Sequence, residues 1–334
     1  MLTATSLTKG QKLTVLTGLL VAAGLILILT PLIGTKTLSW ADIWQNDQIN
    51  FKVFWQMRIP RSLVAFCAGA VLGGSGMVFQ AIFRNPLVCP FTLGISGGAS
   101  FGATIYIRLG MPLAWFGISG ITFFAFLGAL LSVWVVWKLA RVKYDSSIAK
   151  MLLAGLVVSF FFMSLIMLIQ YSSDLYQSMR ITRWLMGGLF VYGYKPVLDL
   201  LPFIIIGLGG IWIYVHELNL LTTGEDLAAS RGVDVRRTVK MLFLIISLAI
   251  GGVVAVCGPI AFVGIIAPHV CRLLIGSDHR YLAPATFLFG GLFLVICDTL
   301  ARILAAPSEI PVGVITALIG GPFFLWLLHQ RFKD

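Results

Sequence analysis

GPIAFVGIIAPHVCRLLIGSDHR, residues 258–280, decides the fold. An apolar, glycine-punctuated run reaches Pro268-His269 and ends in a polar, basic turn. Outward from it the same pattern recurs in both directions. Hydrophobic residues make up 59% of the 334 positions and charged residues 11%, whereas a soluble domain carries about 25% charged residues. A membrane crossing takes roughly 20 apolar residues. Ten such segments are read near 13–33, 60–82, 93–109, 113–137, 148–171, 196–214, 239–257, 259–275, 282–304 and 311–329. Lipid offers no partners to backbone N–H and C=O groups, so only helices or closed barrels cross it. Long apolar runs without period-two alternation exclude the barrel. The expectation is an all-α polytopic membrane protein built as a single transmembrane domain over 1–334, with two five-helix halves, the second inverted.

The first apolar run is too long for the h-region of a signal peptide (~7–15 residues) and no small-residue cleavage site follows, so it is read as a retained helix. The cysteines, Cys67, Cys89, Cys257, Cys271 and Cys297, show no C-x-x-C spacing and read as small buried hydrophobes rather than a metal or disulfide framework. A net charge of +11 does not indicate nucleic acid. With both termini cytoplasmic, 15 of the 24 Lys and Arg fall inside and nine outside, the orientation that the positive-inside rule prefers. Several of the nine are arginines, an unusual outer excess.

Three polar interruptions stand out. Residues 36–58, with Trp40, Trp44 and Trp55, read as an interfacial outer segment. Residues 172–195 form a second outer connection with a short amphipathic helix. Residues 216–238, HELNLLTTGEDLAASRGVDVRRT, are the most polar stretch. There a short helix should end with Gly232 in a left-handed C′ position, and two such helices separated by a glycine make a cytosolic docking surface. Gly69-x-x-x-Gly73, with Gly74 and Gly76, reads as close helix packing. Pro268 predicts a turn or kink, and His269 reads as a hydrogen-bonded structural residue.

The order of motifs carries more. RIPR at 58–61 is followed by FRNPL-x-x-P, LLAG at 152–155, a G-x-x-x-A-x-x-x-G loop, FVG-x-x-x-PH, DHR, D-x-x-AR and E-I-P-x-G. Over roughly 50–330 the chain resembles the membrane subunits of type II ATP-binding-cassette importers for ferric siderophores, haem and vitamin B12. The resemblance implies a permease that pairs with a second permease subunit, a homodimer being favoured. It also implies two cytoplasmic ATPase subunits and an extracytoplasmic substrate-binding protein, in a prokaryotic cell (inner) membrane. ATP and magnesium would belong to the ATPases, and the chain has no G-x-x-x-x-G-K-[ST] loop of its own. No catalytic residue, cofactor or metal is expected on this chain.

Site residues carry over by motif. Arg58, Arg61 and Arg302 match arginines that receive carboxylates of the binding protein, for which arginine's planar fork is suited; for Arg302 the alternative is an i, i+4 pair with Asp298. The ATPase would seat on 219–237, through Glu225, Arg231, Arg236 and Arg237, with Gly232 ending the helix and Leu220, Leu221 and Val233 as apolar anchors. Asn85-Pro86-Leu87 matches a cytoplasmic gate turn. A second constriction precedes LLAG, where Ser146, Ser147, Ile148 and Ala149 stand in place of the usual small hydroxyl pattern. The cargo implied is an iron complex, with a corrinoid or a molybdate-type oxyanion as the alternative. A proton- or sodium-coupled carrier would need ionisable groups deep in the bilayer, and the 13 acids fall in loops or near span ends.

Overall fold

The protein was analysed as a computed structural model that describes residues 7–34, 48–110, 114–115, 118–140 and 148–331. All ten expected segments are helical. They are α1 (Lys9–Leu29), α3 (Ile59–Phe83), α4 (Ile95–Leu109), α5 (Gly120–Ala140), α6 (Ile148–Tyr171), α8 (Lys195–Ile213), α11 (Val235–Cys257), α12 (Val263–Ile275), α13 (His279–Ile303) and α14 (Val312–Arg331). Between them lie α2 (Gln48–Lys52), which runs through a π-helical turn at Val53–Arg58 into α3, and α7 (Leu175–Leu185), the amphipathic helix of the 172–195 connection. The short α9 (Val215–Leu221) and α10 (Glu225–Ser230) complete the set. Among the described residues, seven helical stretches are long and apolar enough to cross a membrane.

Local chemistry sets the boundaries. Thr8 starts α1 through a reciprocal capping box with Gln11. Asp174, Asp234 and Asp278 cap α7, α11 and α13 by accepting from backbone N–H groups of the first turn. The stretch 258–280 is now legible: Gly258 (φ +68) stops α11, Phe262 precedes α12, Gly276 (φ +88) stops α12 and Asp278 starts α13.

Three expectations need correction. The span read at 113–137 begins only at Gly120, and a two-residue antiparallel ladder pairs Ala114–Trp115 with Ile118–Ser119 before it. Helix α12 has 13 residues, about 20 Å of helix, short of the ~30 Å hydrocarbon core. Finally, α12 continues seven residues beyond Pro268, so of the expected turn or kink the turn does not form. His269 packs edge-on to Phe323, ring centroids 5.9 Å apart. Trp40 and Trp44 lie outside the described residues.

The chain packs as two compact units, neither of them a half of the sequence. One unit comprises 1–77, 189–201 and 261–334. In it α13 packs on α1, α12 and α14, and the first part of α3 joins through glycines. A Cβ on Gly69 would overlap the carbonyl of Gly290, and one on Gly76 would overlap that of Gly264. The glycine cluster therefore brings α3 into backbone contact with α13 and α12, as small residues do in lipid-embedded bundles. The other unit comprises 78–188 and 202–260. Its centre is α4, packed on α5, α6, α7 and α11, with Gly98 and Gly128 in a reciprocal close approach. Exposed apolar residues such as Leu13, Leu20 and Leu25 on α1 and Phe160, Phe161 and Leu168 on α6 suit a lipid environment.

Candidate functional site

The three arginines expected to receive a partner's carboxylates converge within the first unit. Helix α1 ends at Leu29 and the chain continues through a 3₁₀ turn, Thr30–Leu32, to Ile33. Arg58 and Arg302 supply donors just there. Arg58 Nη1 donates to Pro31 O (3.1 Å) and Leu32 O (3.2 Å). Arg302 Nη1 donates to Ile33 O (3.1 Å) and Nη2 to Thr30 O (3.4 Å). Both side chains are buried, and a cation is favoured at a helix C-terminus.

Arg61 has a different environment. Its Nε donates to both oxygens of Asp298 (2.9 and 3.1 Å), its Nη2 lies 2.9 Å from Asp298 Oδ1, and its Nη1 reaches Glu309 Oε2 at 2.6 Å. Asp298 also pairs with Arg302 Nε at 3.3 Å, the i, i+4 contact within α13. Asp298 is 1% exposed and Glu309 37%. Arg61 and Arg302 thus share the buried carboxylate, and Arg61 also holds the half-exposed one. Glu309, which acts electrostatically on all three arginines, was absent from the residues singled out in the sequence. Its E-I-P-x-G motif was visible, but the 248-residue separation from Arg61 hid the pairing.

The polar segment 216–238 lies in the second unit and has the expected helix–glycine–helix form. Gly224 (φ +124) separates α9 from α10, and Gly232 (φ +84) follows α10. The N–H of Gly232 donates to Ala229 O and that of Val233 to Ala228 O, the paired bonds of a Schellman end. Arg231, Gly232, Arg236 and Arg237 are exposed and Val233 is half-buried. Leu220 and Leu221 are corrected: both are buried, because they share the inward side of α9 with Val215 and Leu218. The exposed leucine is Leu227 on α10, which the sequence reading passed over. Glu225 is engaged within the chain, its Oε1 accepting from Arg84 Nη2 at 3.2 Å.

The segments that follow the two expected gate pieces pack together in the same unit. Asn85 Oδ1 accepts from Leu87 N (3.0 Å), fixing the turn around Pro86. The chain then enters a 3₁₀ turn, Pro90–Leu93, capped by the buried Cys89; burial raises the pKa of its thiol. Gly155 of LLAG lies against that turn: a Cβ there would be 2.7 Å from Leu93 Cα, and Ser159 Oγ donates to Phe91 O (3.3 Å). Ile148 and Ala149 open α6, while Ser146 and Ser147 lie outside the described residues. Among the described residues no three His, Cys, Asp or Glu side chains form a metal-binding group.

The FecCD transport family profile matches residues 19–330. The hemin transport system permease protein HmuU of Yersinia pestis is 38% identical over 311 residues, 89% of this chain and 90% of its own length. The cobalamin import system permease protein BtuC of Halobacterium salinarum is 38% identical over 277 residues, 82% of this chain and 73% of its own. A solved transporter assigned to the metal-chelate ABC type, in an inward-facing conformation, superposes with a TM-score of 0.83 at 32% identity, covering 95% of this chain and 99% of that one. The chain is an integral membrane protein, the permease subunit of an ABC importer, and it belongs to the FecCD transport family.

Proposed function

We propose that this chain carries an iron complex, a ferric siderophore or haem, from an external binding protein into the cytoplasm, as a homodimer on two ATPase subunits. It would lie in the cell (inner) membrane with both termini cytoplasmic and would itself perform no covalent chemistry. The observation that carries this reading is the exposed α10 with its Schellman end: a rigid knob that bears acids on α10 and exposed arginines just after it, on the most polar segment of the chain, suits docking into an ATPase groove. Hydrolysis there could shift the inward and outward populations only through contacts that differ between the two states. Relatives named for hemin and for cobalamin are equally identical to this chain, so a corrinoid is the second cargo, and a molybdate-type oxyanion the third.

Purification of the tagged chain from its native membranes in mild detergent is the test. One ATPase per permease is the expected result; a chain that emerged alone and moved solute under an ion gradient would replace this reading with a secondary carrier. Arg231→Glu combined with Arg237→Glu is expected to reduce bound ATPase about tenfold or more. Transport at the parent rate in that variant would remove the coupling assignment.

The arginine cluster supports a docking role in a specific form. Arg61 is the member whose outer nitrogen meets a half-exposed carboxylate, so an incoming carboxylate would take the place of Glu309 while Asp298 holds the rest of the guanidinium. Arg58 and Arg302 stand behind as positive field, which raises encounter rates. Glu309→Gln is then expected to tighten binding-protein affinity by ~1 kcal/mol, about fivefold in Kd. Unchanged or weaker affinity, measured by titration of the binding protein onto the reconstituted complex, would assign Glu309 a structural task alone.

A further inference from the structure

We propose that the ion pair between Arg84 and Glu225 links the ATPase-docking segment to the cytoplasmic gate turn, with Arg84 as a positioning residue that transmits displacement of α10 to Asn85-Pro86-Leu87. The inference rests on the coupling and gate reading above.

Three observations within the second unit carry it. Arg84 is the first residue after α3 and immediately precedes the gate turn. Its backbone is left-handed, φ +46, one of two such non-glycine residues among those described. That conformation disfavours an L-residue by about 1–2 kcal/mol, so the surroundings hold it. On the other side, Glu225 is the first residue of α10, reached through Gly224. Around the missing Cβ of Gly224 only Arg84 Nη1 comes within 4 Å, at 3.9 Å. The guanidinium therefore lies across the entrance to α10 while its own backbone begins the gate turn, joining segments 141 residues apart.

The energetics suit a link better than a staple. Arg84 and Glu225 are 47% and 45% exposed, and such pairs contribute little to stability. The turn beyond Arg84 is fixed by the Asn85–Leu87 hydrogen bond and by the packing of Pro90–Leu93 on Gly155. A shift of α10 conveyed through the guanidinium would thus move a stiff turn rather than be absorbed by a soft one.

The test uses the permease with its co-purified ATPase subunits in lipid nanodiscs. Leu87, half-buried in the turn, is replaced by cysteine, and its maleimide labelling rate is compared without nucleotide and with ATP, magnesium and orthovanadate. The same complex without Leu87→Cys supplies the background. The expected response of the parent is about tenfold. Arg84→Glu and Glu225→Arg each should reduce it to about twofold or less, and the double reversal should restore most of it. Arg84→Glu should also retain the parent ATPase stoichiometry, which separates lost transmission from lost docking. Single variants that keep the full response, or a double reversal that restores none, would overturn the link. A parent complex without ATPase, or whose reporter ignores nucleotide, would instead overturn the coupling reading and the link with it.

Discussion

Replacing Gly76 with leucine is expected to prevent the chain from accumulating as a folded, monodisperse protein. At Gly76 α3 crosses α12 with its backbone against Gly264: even a Cβ would lie 2.5 Å from Gly264 Cα and inside contact distance of the carbonyl oxygen. Neither neighbour is a flexible side chain that can turn away. Relief by translation of α3 is also blocked, because Gly69 meets Gly290 and a Cβ at Gly73 would already be 3.0 Å from Thr286 O. Overpacking a well-packed interior costs about 1–3 kcal/mol where side chains can shift, and a backbone-to-backbone crossing belongs at or above the top of that range. The measurement is thermal stability by size-exclusion of detergent-extracted protein. Gly24→Leu is the control, since nothing lies within 4 Å of a Cβ at Gly24 and surface changes stay within about 0.5 kcal/mol. Equal melting of the two variants would mean that α3 and α12 do not cross at Gly76.

The helices were legible because a membrane helix is written locally. Some 20 apolar residues, an aspartate or threonine before them and a glycine after them define an element without reference to the rest of the chain. Gly232 was placed at its left-handed position on the same local grounds, and the glycines of α3 were read as packing residues from spacing alone. What local reading misses depends on rotation or distance. In α9, Leu220 and Leu221 look like surface anchors in a polar segment, yet helical rotation turns them inward beside Val215 and Leu218. Helix α12 is cut to 13 residues because the chain between Gly258 and Phe262 is not helical, although its composition is as apolar as the helix. The arginine cluster is the clearest case. RIPR is conspicuous in sequence, but its charge is balanced by Asp298, 237 residues away from Arg61, and by Glu309. Arginines expected to be offered outward are therefore largely spent on the chain itself, two of them on the turn that follows α1.

The consequence is a second large effect. Asp298→Asn, which preserves shape and removes charge, is expected to destabilise the protein by about 3–5 kcal/mol, the usual result of breaking one partner out of a buried ion pair. The carboxylate is 1% exposed and serves two guanidiniums. Without it Arg61 and Arg302 would repel each other with no buried counter-charge. The damage should spread to α1, because Arg302 is held by Asp298 through Nε while its Nη1 and Nη2 donate to Ile33 and Thr30. Glu309→Gln provides the contrast: its carboxylate is 37% exposed, and an ion pair of that kind contributes about 1 kcal/mol or less. A thermal-stability series of both variants, combined with Arg302→Gln, checks the assignment. If Asp298 is the shared counter-ion, Asp298→Asn and Arg302→Gln together should cost less than their sum by about 1–3 kcal/mol, since removing one cation lowers the repulsion left by the missing carboxylate. Strict additivity, or a loss for Asp298→Asn no greater than for Glu309→Gln, would mean that the cluster is held by hydrogen bonds to the carbonyls of residues 30–33, after α1, and not by its buried charge.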